Sequence, residues 1–166
     1  QKELTELQLG NLGYYYANAL FVQQDFRKSI LVIAEILHAL NVTISTQPKL
    51  SKIIFSMISL QKDMRGKDMA FIEQLPTVSD KVALVKIKLL QNAMGAAYLY
   101  APKMIPELTA KQLNLSIKSG ASDLFGLCLA CYGFILSMYS NKPKEAQKTY
   151  GIAVTMNDRF SDAVAI

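Results

Sequence analysis

The stretch LQNAMGAAYLYAPKMIPEL, Leu90 to Leu108, is uncharged from its first residue to Pro102 and then sets two prolines four residues apart. Before the first proline, Gly95, Ala96 and Ala97 let a neighbouring helix approach closely, as Gly126, Ala130 and Gly133 do on the helix after next. A helix that is apolar nearly all round is buried on more than one side. Pro102 and Pro106 suit the first turn of the helix that follows, where their missing N–H groups would lack an intrahelical partner anyway. The passage therefore predicts an interior helix, a sharp break and a second helix, which is the grammar of stacked antiparallel helix pairs.

Working outward, the period stays helical. After the prolines, Lys103, Glu107, Lys111, Asn114 and Lys118 fall at steps of three and four, with Met104, Ile105, Leu108 and Leu115 on the other side. Gly120 is a stop. Ser79-Asp80 caps a long helix running to about Tyr100, and Ser122-Asp123 begins another that reaches Ser140. Asn141-Lys142-Pro143 breaks the chain before a last helix to about Asn157. Upstream, Phe26, Ile30, Ile33, Ala34 and Leu37 form an apolar face with Lys28, Glu35 and His38 opposite, and Lys52, Ser56, Ser59 and Asp63 form a polar stripe opposite Leu50, Ile54, Met57 and Ile58. The pattern gives an all-α fold of about seven helices and no strand. Between them MRGKDMAFIEQLPTVS, Met64 to Ser79, is long for a connection and too apolar to stay loose. It predicts a short additional helix, Asp68 to Gln74, docking Met69, Phe71, Ile72 and Leu75, ended by Leu75-Pro76. Release of this segment would signal to a neighbouring module.

Composition narrows the function classes. A 166-residue chain with 51% apolar residues has enough material for a real core. The net charge of +5 comes from scattered lysines, read as solvated helix faces, and from only Arg27, Arg65 and Arg159 among guanidinium groups. Nucleic-acid readers concentrate basic residues and favour Arg, so no nucleic-acid partner is expected. Two cysteines suggest a reducing, cytoplasmic setting. The chain starts at Gln1 without Met or a secretory pattern and is read as one helical-repeat domain, residues 1–166, cut from a larger protein. The uncharged run Leu124–Asn141 has nearly membrane-span length, but it lacks a basic flank at its start, and a buried helix is expected instead.

Candidate chemistry is sparse. Cys128 and Cys131 match C-x-x-C, yet they fall mid-helix among Leu127, Leu129 and Phe134, where burial raises a thiol pKa. His38 is the only histidine, so the remaining zinc ligands are missing and no metal is expected. As the one phosphorylatable histidine, His38 defines the alternative reading, a helical phosphotransfer or enzyme fragment. Its place in a last helical turn fits a partner for the helix dipole more simply. Tyr14-Tyr15-Tyr16 would place one ring inside, one half-buried and one outside, or line a peptide groove. No nucleotide-binding glycine motif is present and no cofactor is expected, so the segment reads as non-catalytic.

One resemblance is specific as a set. Arg65-Gly66-Lys67, Leu75-Pro76, Ala96-Ala97-Tyr98 with Ala101-Pro102, Leu115 to Gly120, Tyr132-Gly133 and Tyr150-Gly151 resemble the tetratricopeptide-like helical region of large multidomain signalling proteins. The likeness covers residues 64–157 and, more loosely, 9–41. In those proteins the region lies between a STAND-type P-loop ATPase module and output modules such as a GAF sensor with a histidine kinase, and some members carry a protein kinase domain. Lys142-Pro143 departs from the usual small acidic turn, and the chain has no Trp. The resemblance implies a regulatory, protein-binding segment whose partners are other proteins or neighbouring domains of the same chain. No catalytic residue transfers with it.

Overall fold

Side-chain caps mark where four of the eight helices among the described residues begin. Thr5 forms a reciprocal capping box with Gln8. Asp25, Asp68 and Asp80 each accept from backbone N–H groups two or three residues on, satisfying donors that a helix start leaves free. In the computed structural model, which describes residues 4–162, the helices are α1 (Glu6–Val22), α2 (Phe26–Ala39), α3 (Leu50–Met64), α4 (Met69–Glu73), α5 (Lys81–Tyr100), α6 (Ile105–Ser119), α7 (Phe125–Tyr139) and α8 (Pro143–Asp162). These are the seven expected helices and the short one expected between Asp68 and Gln74. The fold is all-α, and its one β feature among the described residues is an isolated bridge between Thr77 and Ala121.

The helices stack as pairs, an arrangement compatible with a helical repeat array. α1 packs on α2, α5 on α6 and α7 on α8, while α5 also rests on both α1 and α2. That triple contact explains the sequence of α5, whose Val85, Leu89, Leu90, Ala93, Ala96 and Ala97 are all buried. Pro102–Met104 forms a 3₁₀ turn that leads directly into α6. Gly120 ends α6 at φ +104°, where a Cβ would stand 2.6 Å from the carbonyl of Pro76. Only glycine fits there, which allows Ala121 N to donate to Pro76 O and Val78 N to Ala121 O. α8 runs past Asn157 to Asp162, longer than its sequence pattern suggested.

The small residues divide their tasks. Gly126 and Gly133 lie where α7 crosses α8, a Cβ at Gly126 meeting Ala153 O at 2.8 Å. Gly95 and Ala130, expected at close crossings too, border an open groove instead. A Cβ at Gly95 would find only Phe21, at an ordinary 3.6 Å.

α3 departs most from expectation. Its two faces exist as read, but the helix is turned with its polar stripe toward α6, so Ser56 is buried while Leu50 (71%), Ile54 (49%) and Ile58 (60%) are exposed. The cause lies on α6. Glu107 and Lys111, expected on a solvated face, look inward, and Glu107 is only 4% exposed. A buried carboxylate requires cations and donors. α3 and the segment before it supply them: Lys52 Nζ lies 3.2 Å from Glu107 Oε1, and Ser45 N donates to Oε2. Asn114 Nδ2 on α6 donates in turn to Asp63 Oδ2 at 3.2 Å.

α4 docks on α8. Ile72 and Leu75 are buried as expected, Phe71 is exposed instead, and the Met69 side chain lies outside the described residues. Arg159 of α8 clamps the end of the segment, Nη1 donating to Glu73 O and Leu75 O at 3.1 and 2.9 Å and Nη2 to Thr77 Oγ1. Arg159→Ala removes these donors, so hydrogen exchange across residues 68–78 is expected to speed up by about tenfold or more while α5 keeps its protection. Unchanged exchange there would mean that Ile72 and Leu75 alone hold the segment.

Candidate functional site

An open feature of the stack lies between α5 and α7, which flank α6 without packing closely on each other. The two helices border an apolar groove of about 450 Å³. α5 contributes Met94, Gly95, Tyr98 and Leu99, and α7 contributes Leu127, Ala130, Cys131 and Phe134, with Ile105 between them. Tyr98 (69%) and Leu127 (51%) are exposed despite their apolar surfaces. Small residues explain the space: glycine and alanine at positions 95 and 130 leave a trough between larger side chains.

The trough continues toward α1. A smaller cleft of about 230 Å³ joins Tyr14, Asn18 and Phe21 of α1 to Lys88 and Asn92 of α5 and shares Gln91 and Gly95 with the main groove. Asn92 Nδ2 donates to Asn18 Oδ1 at 2.8 Å, and Gln112 Nε2 donates to Gln91 Oε1 at 3.1 Å. These amides fix the polar edge of an otherwise apolar surface. Tyr14 is half-buried and meets Tyr15 edge-on at 5.6 Å. Tyr15 and Tyr16 are exposed, so none of the three rings is fully inside, contrary to the expected gradation. α1 is too shallowly seated, and its close contacts are made by Gly10, Gly13 and Ala17 instead.

A second, polar cleft of about 480 Å³ lies between α3 and α6, lined by Lys52, Ser56, Ser59, Asp63, Glu107 and Lys111 among others. Lys52 and Lys111 flank the Glu107 carboxylate at 3.2 and 4.0 Å. Its charges largely satisfy one another, and its role in the fold is to set the roll of α3.

The singled-out chemical residues are not brought together. His38 is exposed in the last turn of α2, its Nδ1 3.4 Å from Thr43 Oγ1. Cys128 is buried and Cys131 half-buried on α7, both as free thiols. Burial pushes both thiols up, and the neighbouring Cys131 adds to the rise at Cys128. Among the described residues no three His, Cys, Asp or Glu side chains are grouped as metal ligands, and no helix is long and apolar enough to cross a membrane.

Cys131 borders the groove and Cys128 does not. A maleimide is expected to label Cys131 slowly at neutral pH and faster as alkali generates its thiolate, with Cys128 reacting only on unfolding. Equal labelling of both thiols in the folded chain would contradict the packing of α7.

Comparison with family models, with characterised proteins and with solved structures returned no match. The groove residues were missed by sequence reading. Their one signal was that α5 and α7 are apolar on every side, which reads as complete burial when a neighbour is assumed on each side.

Proposed function

We propose that the chain is a non-catalytic, helical-repeat protein-interaction segment that takes an amphipathic helix of a partner, or of a neighbouring module, into the α5–α7 groove. The observation that carries this reading is the groove itself: about 450 Å³, lined by aliphatic and aromatic side chains and open to solvent. Exposed contiguous apolar surface of this kind marks interaction sites. A trough between two helices suits a helix that presents apolar residues at spacings of three and four. The resemblance to the regulatory helical region of signalling ATPases and kinases supports a regulatory role, in which groove occupancy reports on, or controls, an attached output module.

The test uses a library of displayed amphipathic helical peptides selected against the full chain. Binders are expected to lose affinity by about 100-fold or more when Leu127→Asp and Phe134→Asp are combined, because charges then occupy the apolar contact. Both positions are partly exposed, so circular dichroism should show an unchanged fold. Binders that hold the double variant as tightly as the wild type would refute the groove as the site.

A further inference from the structure

The inverted roll of α3 leaves a surface that the groove does not use. Leu50, Ile54, Phe55 and Ile58 form an apolar ridge at the periphery, exposed by 49–71%. α3 packs chiefly on α6. From Leu50 to Ile58 the ridge spans about 12 Å, at 1.5 Å per residue. Its ends are cationic: Lys49 precedes it, and Lys62 and Arg65 follow, all exposed. The only carboxylate on α3, Asp63, faces inward, accepting from Asn114 and Ser59. The nearest exposed one along the chain, Asp68, caps α4 through Phe71 N.

We propose that this ridge is a docking surface for an anionic lipid bilayer, on which α3 lies in the interface plane. The residue types match the physics of such helices, with aliphatic and phenylalanine side chains entering the headgroup–acyl boundary and Lys and Arg meeting anionic headgroups. Charge disfavours a second copy. An isologous antiparallel contact would place Lys49 of one copy against Lys62 and Arg65 of the other. Shape disfavours a protein helix. Leu50, Ile54 and Ile58 stand on a ridge and line none of the clefts described above, Phe55 alone also bordering the α3–α6 cleft, whereas a partner helix packs best into a groove. A fluid interface accepts a convex ridge. The polar seam to α6 is what keeps these side chains pointing outward. The inference does not depend on the groove reading.

The experiment is flotation of the full 166-residue chain with phosphatidylcholine vesicles, with and without phosphatidylserine. The chain is expected to float with the anionic vesicles, far less with neutral ones, and less at high salt. Ile54→Ser with Ile58→Ser should lower partitioning by about tenfold or more, and Lys62→Glu with Arg65→Glu should also weaken it. Both variants alter exposed residues, so circular dichroism should report an intact fold. Leu127→Asp with Phe134→Asp should leave flotation unchanged, which separates this proposal from the groove. Because the chain has no tryptophan, Phe55→Trp supplies a single reporter whose emission should shift to the blue on anionic vesicles. The proposal is overturned if the wild type stays in the aqueous phase. It is equally overturned if the Ile54/Ile58 variant floats as well as the wild type, or if the ridge mediates dimers or binds an acidic amphipathic peptide without binding vesicles.

Discussion

Gly126→Leu is expected to destabilise the chain by about 3 kcal/mol and to lower the melting temperature by about 6–12 °C. A Cβ there already stands 2.8 Å from the carbonyl oxygen of Ala153 and 3.3 Å from Asn157 N. Both are backbone atoms of α8, so relief requires moving the whole helix. Gly133→Leu meets the Tyr150 ring, at 2.7 Å from its nearest atom, but that ring is partly exposed and can swing away. Its cost should be the smaller of the two. Ala97→Leu adds volume to a site with no solvent exposure and should also destabilise. Gly151 provides the contrast: nothing lies within 4 Å of its Cβ position, and it sits within α8. Gly151→Ala should stabilise by about 0.5–1 kcal/mol. Thermal melts followed by circular dichroism check the series. An unchanged melt for Gly126→Leu would show that α7 and α8 are not in close contact.

Glu107→Ala should release α3 while leaving the stack in place. The substitution removes the carboxylate that pairs with Lys52 and Lys111 and accepts from Ser45 N, and it leaves a void beneath a helix whose apolar face points away. The cost should be about 2 kcal/mol, moderated because Lys52 regains water easily at 43% side-chain exposure. Hydrogen exchange should locate it: α3 amides lose protection while those of α5 and α7 keep theirs. Lys52→Met combined with Glu107→Leu should recover much of the loss, since an apolar pair can replace a buried ion pair. If Glu107→Ala destabilises every helix equally, the seam belongs to the core of the fold rather than to the attachment of α3.

The local rules were readable because they act over a few residues. Asp80 and Gly120 mark helix ends through geometry confined to one turn, and Asp68 with Ile72 and Leu75 disclosed α4 in the same way. The orientation of α3 was not readable. Periodicity shows that a helix has two faces, but not which one is covered. That choice rests on Glu107, whose partner Ser45 lies 62 residues earlier. The groove escaped for the converse reason. An all-round apolar helix implies neighbours, yet Tyr98, Leu99 and Leu127 remain uncovered because α6 holds α5 and α7 apart. The tyrosine run was misjudged because α1 makes its close contacts through small residues and leaves the rings near the surface. His38 could be placed at a helix end from sequence, but its neighbour Thr43 depends on the turn that follows.

Occupancy of the α5–α7 groove by a partner helix can be read from the alkylation rate of Cys131. This thiol borders the groove and becomes a reporter of its occupancy. A saturating selected peptide should slow Cys131 alkylation by about tenfold or more in the folded chain, with no change once the chain is denatured. A Cys131 rate that stays the same with and without saturating peptide would place the partner helix outside the α5–α7 groove.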